Sequence, residues 1–94
     1  SKFPVIKKDL SILVDKNILS SDLAAKIKKK AGRLLSDISI FDVYQGKNID
    51  ENKKSLAYSL TFGDSNRTLN DDEVNAVMDK IIEDLEKDGM ELRK

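Results

Sequence analysis

From Lys54 to Phe62 the chain alternates without interruption: Leu56, Tyr58, Leu60 and Phe62 share one parity, and Ser55, Ala57, Ser59 and Thr61 share the other. A strand sends successive side chains to opposite faces, so this segment has one apolar face for a core and one face of small groups. A sheet built around it is covered on one side only. Two further segments read as partners. Ile6, Leu10, Ile12 and Val14 fall on even positions with Lys7, Asp9 and Ser11 between them, a half-buried strand that Pro4 can only precede. Ile38–Gln45 is rich in β-branched and aromatic residues, stops at Gly46, and returns through the polar stretch Lys47–Asn52, which predicts a hairpin. Met90–Arg93 predicts a short last strand.

Between these lie two helical patterns. Leu23, Ala24, Ile27, Ala31, Leu34 and Leu35 form one apolar stripe, with Ser20 or Ser21 as N-cap and Asp22 in the first turn. Gly32 lowers helix propensity there without breaking the stripe. Val74, Val77, Met78, Ile81, Ile82 and Leu85 line a second helix, opened by Asn70 with Glu73 three residues on and followed by Gly89. The order β-α-β-β-α-β with right-handed crossovers predicts a ferredoxin-like α+β fold: a four-stranded antiparallel sheet, both helices on one face, the other face open. No linker or repeat interrupts it, so residues 3–94 are expected to form one domain.

Parity then selects an outward set. An ionised Asp42 facing the helices would be a costly buried charge. Phe41 and Val43 are therefore expected inside, with Asp42 and Tyr44 outside. By the same alternation Leu92 turns in and Arg93 out. The open face should present Asp42, Tyr44, Ser55, Ala57 and Arg93. A tyrosine ring can stack a nucleobase. A carboxylate can accept the two adjacent N–H groups of a guanine edge, and a guanidinium can meet a phosphate or carbonyl oxygen. The plainer alternative is an ordinary Asp42–Arg93 cross-strand pair beside an exposed Tyr44.

Composition narrows the chemistry. Of 94 residues 39% are hydrophobic, enough for one core, and there is neither Cys nor His. Disulfides, thiolate metal sites and His-dependent catalysis are thereby excluded. Asp71, Asp72 and Glu73 sit in a helix first turn, where acids favour the helix dipole. Asp50-Glu51-Asn52 and Asp64-Ser65-Asn66 lack calcium-loop spacing. No Gly-rich phosphate loop is present. No catalytic or metal-binding residue is therefore expected. No apolar run nears the ~20 residues that span a bilayer. The chain reads as soluble, intracellular and without a membrane partner, and it begins at Ser1 rather than Met, as a cut fragment or tag remnant would.

The net charge is +0, but it is unevenly spread. Residues 1–55 carry 12 basic and 7 acidic side chains, a net of +5; residues 56–94 carry 5 and 10, a net of −5. Lys26, Lys28, Lys29, Lys30 and Arg33 concentrate the basic excess, which suits either a solvated helix face or a local phosphate-facing patch.

At Phe41-Asp42-Val43-Tyr44-Gln45-Gly46 the sequence resembles the C-terminal ferredoxin-fold anticodon-binding domain of phenylalanyl-tRNA synthetase β subunits, a domain that also closes the single-chain organellar enzymes. Three more blocks match in order: Phe3-Pro4 with Lys8-Asp9-Leu10, then Lys54-Ser55-Leu56-Ala57, then Arg67-Thr68-Leu69-Asn70-Asp71-Asp72-Glu73-Val74, with Arg93 at the end. Lys8 stands where the family has Arg, and Asn70 where it more often has Thr. The resemblance implies that the open face binds the anticodon stem-loop of the phenylalanine tRNA. Tyr44 would stack on the first anticodon base, a guanine. Asp42 and Ser55 would read its edge, Ala57 would shape the floor, and Arg93 would contact the same nucleotide. The blocks around Phe41 and Leu69 would fill the core. The implied parent is a cytoplasmic ligase using ATP and magnesium, α2β2 in bacteria, with the rest of the β subunit and the α subunit as partners; this domain itself would hold no cofactor. A ferredoxin-like regulatory or assembly domain, binding a metabolite or a partner chain, is the alternative from a different class.

Overall fold

The computed structural model describes residues 3–93; Lys94, the expected last residue of the domain, lies outside them. Strand β1 spans Ile6–Asp15, helix α1 Ser20–Ala31, strand β2 Leu35–Tyr44, strand β3 Lys53–Phe62, helix α2 Asp71–Lys87 and strand β4 Glu91–Leu92. The sheet has the order β2-β3-β1-β4, and every pairing is antiparallel. This is the ferredoxin-like α+β fold.

The alternating strand sits at its centre. Leu56, Tyr58, Leu60 and Phe62 are each at most 1% exposed, packed with Leu10, Ile12 and Val14 of β1 beneath Leu23 and Ile27 of α1 and Val74, Ile81 and Leu85 of α2. Burying a side chain of this size contributes about 1.5–3 kcal/mol, so the inward parity of β3 is the most strongly enforced register in the molecule. Tyr58 keeps its polar end satisfied by donating its hydroxyl to the Ser20 carbonyl at 2.7 Å. Burial pushes its phenol up to about 12.

The helix ends differ in how far they follow local rules. At α2, the Asn70 side chain accepts the Glu73 N–H at 2.9 Å, the expected cap. At α1 the cap residue is Leu19, with no side-chain cap hydrogen bond, so neither Ser20 nor Ser21 serves there. Gly32 ends α1 rather than sitting inside it. Its φ of 77° is left-handed, a conformation glycine adopts without Cβ strain, and a 3₁₀ turn over Gly32–Leu34 follows. Leu34 and Leu35 therefore leave the helical stripe, and Leu35 opens β2 three residues before the expected start.

β2 also departs from simple alternation. The register against β3 slips between Leu35 and Asp37 and again between Ile40 and Asp42. Each slip leaves one residue unpaired, Ser36 and Phe41, as a β-bulge does. The first slip puts Leu35 opposite Phe62 and Ile38 opposite Leu60, both inward rows; the second lets Ile40 face Tyr58 and Asp42 face Ala57. Phe41, expected in the core, is the extra residue of the second bulge and is 59% exposed. Val43 pairs with inward Leu56 as expected, yet it is 54% exposed. Exposure climbs along the inward row of this edge strand, from Leu35 at 5% through Ile40 at 39% to Val43, because the helix layer runs out before the strand does.

Candidate nucleic-acid interface

The second bulge decides which β2 side chains join the open face. Beyond it Asp42 lies opposite Ala57 and Tyr44 opposite Ser55. On the other side of β3, Ala57 pairs with Ser11 and Ser55 with Leu13, and Leu13 pairs in turn with Glu91 of β4. Arg93 extends β4 by donating its backbone N–H to the Ser11 carbonyl at 2.8 Å. Two rows therefore cross the sheet side by side: Asp42, Ala57, Ser11, Arg93, and Tyr44, Ser55, Leu13, Glu91. All five residues expected on the open face, Asp42, Tyr44, Ser55, Ala57 and Arg93, fall in these rows.

Their side chains meet as a platform. The Arg93 guanidinium carbon lies 5.3 Å from the centroid of the Tyr44 ring, a cation–π distance. Tyr44 comes from one sheet edge and Arg93 from beyond the other, so the two side chains reach toward each other over β3 and β1. The floor between them is buried although no helix covers this face, with Ser55 5% and Ala57 7% exposed. Asp42 is exposed, and among the described residues no ion pair joins it to Arg93. Among the described residues the guanidinium therefore engages the Tyr44 ring rather than the Asp42 carboxylate.

Parity alone did not reveal what holds Tyr44 in place. Its hydroxyl donates to the Lys47 carbonyl at 3.1 Å. A Cβ on Gly46 would lie 3.1 Å from the Tyr44 hydroxyl oxygen and 3.3 Å from Cζ. The absence of a side chain at Gly46 thus allows the turn to close against the phenol. The spacing Tyr-x-Gly was the available signal, though in the sequence it reads only as a strand end.

The lysine cluster lies on the other side of the molecule, on α1 in the helix layer. Lys26 pairs with Asp88, and Lys30 stands 4.0 Å from Asp84 of α2. Elsewhere, Arg33 and Arg67 converge on Asp64 at 3.3 and 3.8 Å, and Arg67 also binds Glu73 at 2.6 Å. The Asn66 N–H, then the two arginines, hold the Asp64 carboxyl below its usual range. This group ties the β3–α2 connection to the helix start. Among the described residues no three acidic side chains gather as a metal site would require, and no helix is long and apolar enough to cross a membrane.

A split βαβ sheet with a one-sided helix layer and a small-floored aromatic platform on its bare face defines a class of single-sheet binding modules. Comparison places the chain within that class: it belongs to the ferredoxin-fold anticodon binding domain family, whose model matches residues 1–93. Similar curated proteins include the phenylalanine–tRNA ligase beta subunits of Clostridium tetani, 48% identical over 98% of this chain, and of Clostridium acetobutylicum, 43% identical over 98%. That of Lactobacillus acidophilus is 51% identical over 93% of it. The chain spans only 11–12% of the length of these relatives.

Proposed function

We propose that this chain is the tRNA-binding module of a phenylalanine–tRNA ligase β subunit and takes the anticodon stem-loop of the phenylalanine tRNA on its open sheet face. The observation that carries the reading is the platform: an aromatic ring braced by its own turn, beside a floor of Ser55 and Ala57 small enough to admit a flat base. In this reading the guanine at the first anticodon position stacks on Tyr44. The acceptors of Asp42 and the Ser55 hydroxyl take the donors of its edge, Ala57 leaves room beneath, and Arg93 gives up its ring contact to serve the same nucleotide. An exposed cation–π contact is worth about 0.5–1 kcal/mol and a stacked base about 1–3, so the exchange favours the base.

The parent would be a cytoplasmic α2β2 ligase or its single-chain organellar counterpart, using ATP and magnesium. In this reading the domain's contribution would be binding energy and anticodon discrimination spent at a distance from the chemistry. A regulatory or assembly role would draw instead on Ile40, Phe41 and Val43, exposed along the free edge of β2. The two bulges on that edge work against strand addition.

Tyr44→Ala should weaken binding of the phenylalanine anticodon stem-loop by about 1–3 kcal/mol in calorimetric titration, with the circular dichroism spectrum unchanged. A loss below about 0.5 kcal/mol, under the range for a stacked base, would contradict stacking on this ring.

A further inference from the structure

The lysines gathered on α1 are not all spent inside the helix layer. Lys26 pairs with Asp88 and Lys30 with Asp84, so a step forward along α1 is a step back along α2 and the helices lie antiparallel. A trough follows their seam in two adjoining parts. One, of about 370 Å³, is lined by Lys29, Lys30, Lys80, Glu83, Asp84 and Lys87. The other, of about 480 Å³, shares Lys29, Lys30 and Asp84 and reaches the Lys26–Asp88 pair. Each acid in the lining has its own lysine, the third pair being Glu83 with Lys87 at 3.7 Å. Among the described residues, Lys29 and Lys80 take part in no ion pair. Both are exposed, they line the trough from opposite helices, and they account for the excess of its five lysines over its three acids.

The lining indicates the kind of partner that fits. It consists of charged side chains alone, with nothing apolar to anchor a protein and no ring to stack a base. Protein interfaces are depleted of Lys, Glu and Asp at their centres. A lysine ammonium, by contrast, is a compact point charge that binds phosphate without a planar fork. The trough is also long: one turn of α1, about 6 Å, separates Lys26 from Lys30, and about two turns of α2 separate Lys80 from Lys87. Such a path suits a chain of phosphates better than a single anion. We propose that the α1–α2 trough holds the sugar–phosphate backbone of RNA through Lys29 and Lys80, without reading sequence. Trough and open sheet face lie on opposite sides, so a stem-loop seated on the sheet leaves the trough unfilled. The trough takes a second stretch of backbone, and it does not depend on the Tyr44 platform. Because three of its lysines are already answered by acids, the contact is weak and readily released by salt.

The test uses a short abasic oligoribonucleotide, which keeps the sugar–phosphate backbone and has no base to stack on Tyr44. Titrated into the ¹⁵N-labelled chain, it should shift the amides of residues 26–30 and 80–87 and leave 42, 44, 55 and 57 unmoved. The logarithm of its affinity should fall against the logarithm of salt concentration with a slope of about −1.4, or about −0.7 for each of two phosphates neutralised. Lys29→Ala combined with Lys80→Ala should weaken binding on the order of tenfold and flatten that slope. Lys29→Arg combined with Lys80→Arg keeps both charges and should bind as wild type does. Polyglutamate of matched charge should not displace the oligomer, nor should inorganic phosphate at the oligomer's own concentration. Displacement by polyglutamate would assign the trough to an acidic protein segment, and displacement by phosphate would make it a point-anion site. Either result overturns the proposal, as would full binding by the alanine pair or an oligomer that leaves 26–30 and 80–87 unmoved.

Discussion

Tyr44 shows how much of a binding surface a single turn can set. Alternation predicts only that the ring faces out; its angle depends on Gly46 and on the Lys47 carbonyl. A methyl group at Gly46 would lie 3.1 Å from the Tyr44 hydroxyl oxygen, so the phenol has to shift by a few tenths of an ångström to admit it. Gly46→Ala should therefore cost roughly 0.5–1.5 kcal/mol of stem-loop binding, the worth of the anchoring hydrogen bond, and leave the melting temperature nearly unchanged because the turn is exposed. Binding equal to wild type would mean that the turn does not set the ring. Asp42 carries a different role. Its exposed carboxylate has no guanidinium partner among the described residues, so Asp42→Ala should erase the preference for guanine over adenine at the first anticodon position, seen by titrating both stem-loops. Equal losses with the two would show that Asp42 does not read the base.

At the scale of elements, β3 was legible and β2 was only half so. The β3 pattern is self-contained: four apolar residues on one parity suffice to assign both faces, and each is fully buried. Tyr58 in this row makes burial measurable. Its ordinary value is 10.0 and the fold raises it to about 12. Above pH 10 the unfolded chain releases the phenolic proton while the folded one keeps it. Stability is thus unaffected below pH 10 and falls from there to about pH 12, by at most about 1.4 kcal/mol per pH unit. Denaturant titrations of wild type and Tyr58→Phe across that window should show the extra decline in wild type alone; parallel curves would contradict it. The bulges of β2 were not legible, because a bulge is a property of two strands and the unpaired residue leaves no local mark. Strict alternation made Ile40 and Phe41 exchange places, yet Asp42 and Tyr44 still emerged outward, since the acid's desolvation cost selects the same side with or without the bulge. Gly32 was misjudged for a similar reason. The stripe continues past it in sequence, and only the need for Leu35 to meet Phe62 turns the chain there.

In the whole molecule, the uneven charge resolves into an arrangement of layers. The basic α1 lies beside the acidic α2, with Lys26 and Lys30 answered by Asp88 and Asp84, so part of the basic excess is spent within the helix layer. What remains for a nucleobase is the bare face, where recognition would depend on an aromatic ring, two hydroxyl and carboxylate acceptors and one guanidinium more than on a field of positive charge. Such a face suits a module whose proposed part is discrimination, and the chain spans about 12% of the length of the Clostridium tetani relative. The most direct test is an NMR titration of the ¹⁵N-labelled chain with the phenylalanine anticodon stem-loop. Binding on the open face predicts amide shifts at residues 42, 44, 55, 57 and 93 and little change at 26–30 or 71–87. Shifts concentrated on α1, with the sheet amides unmoved, would contradict it.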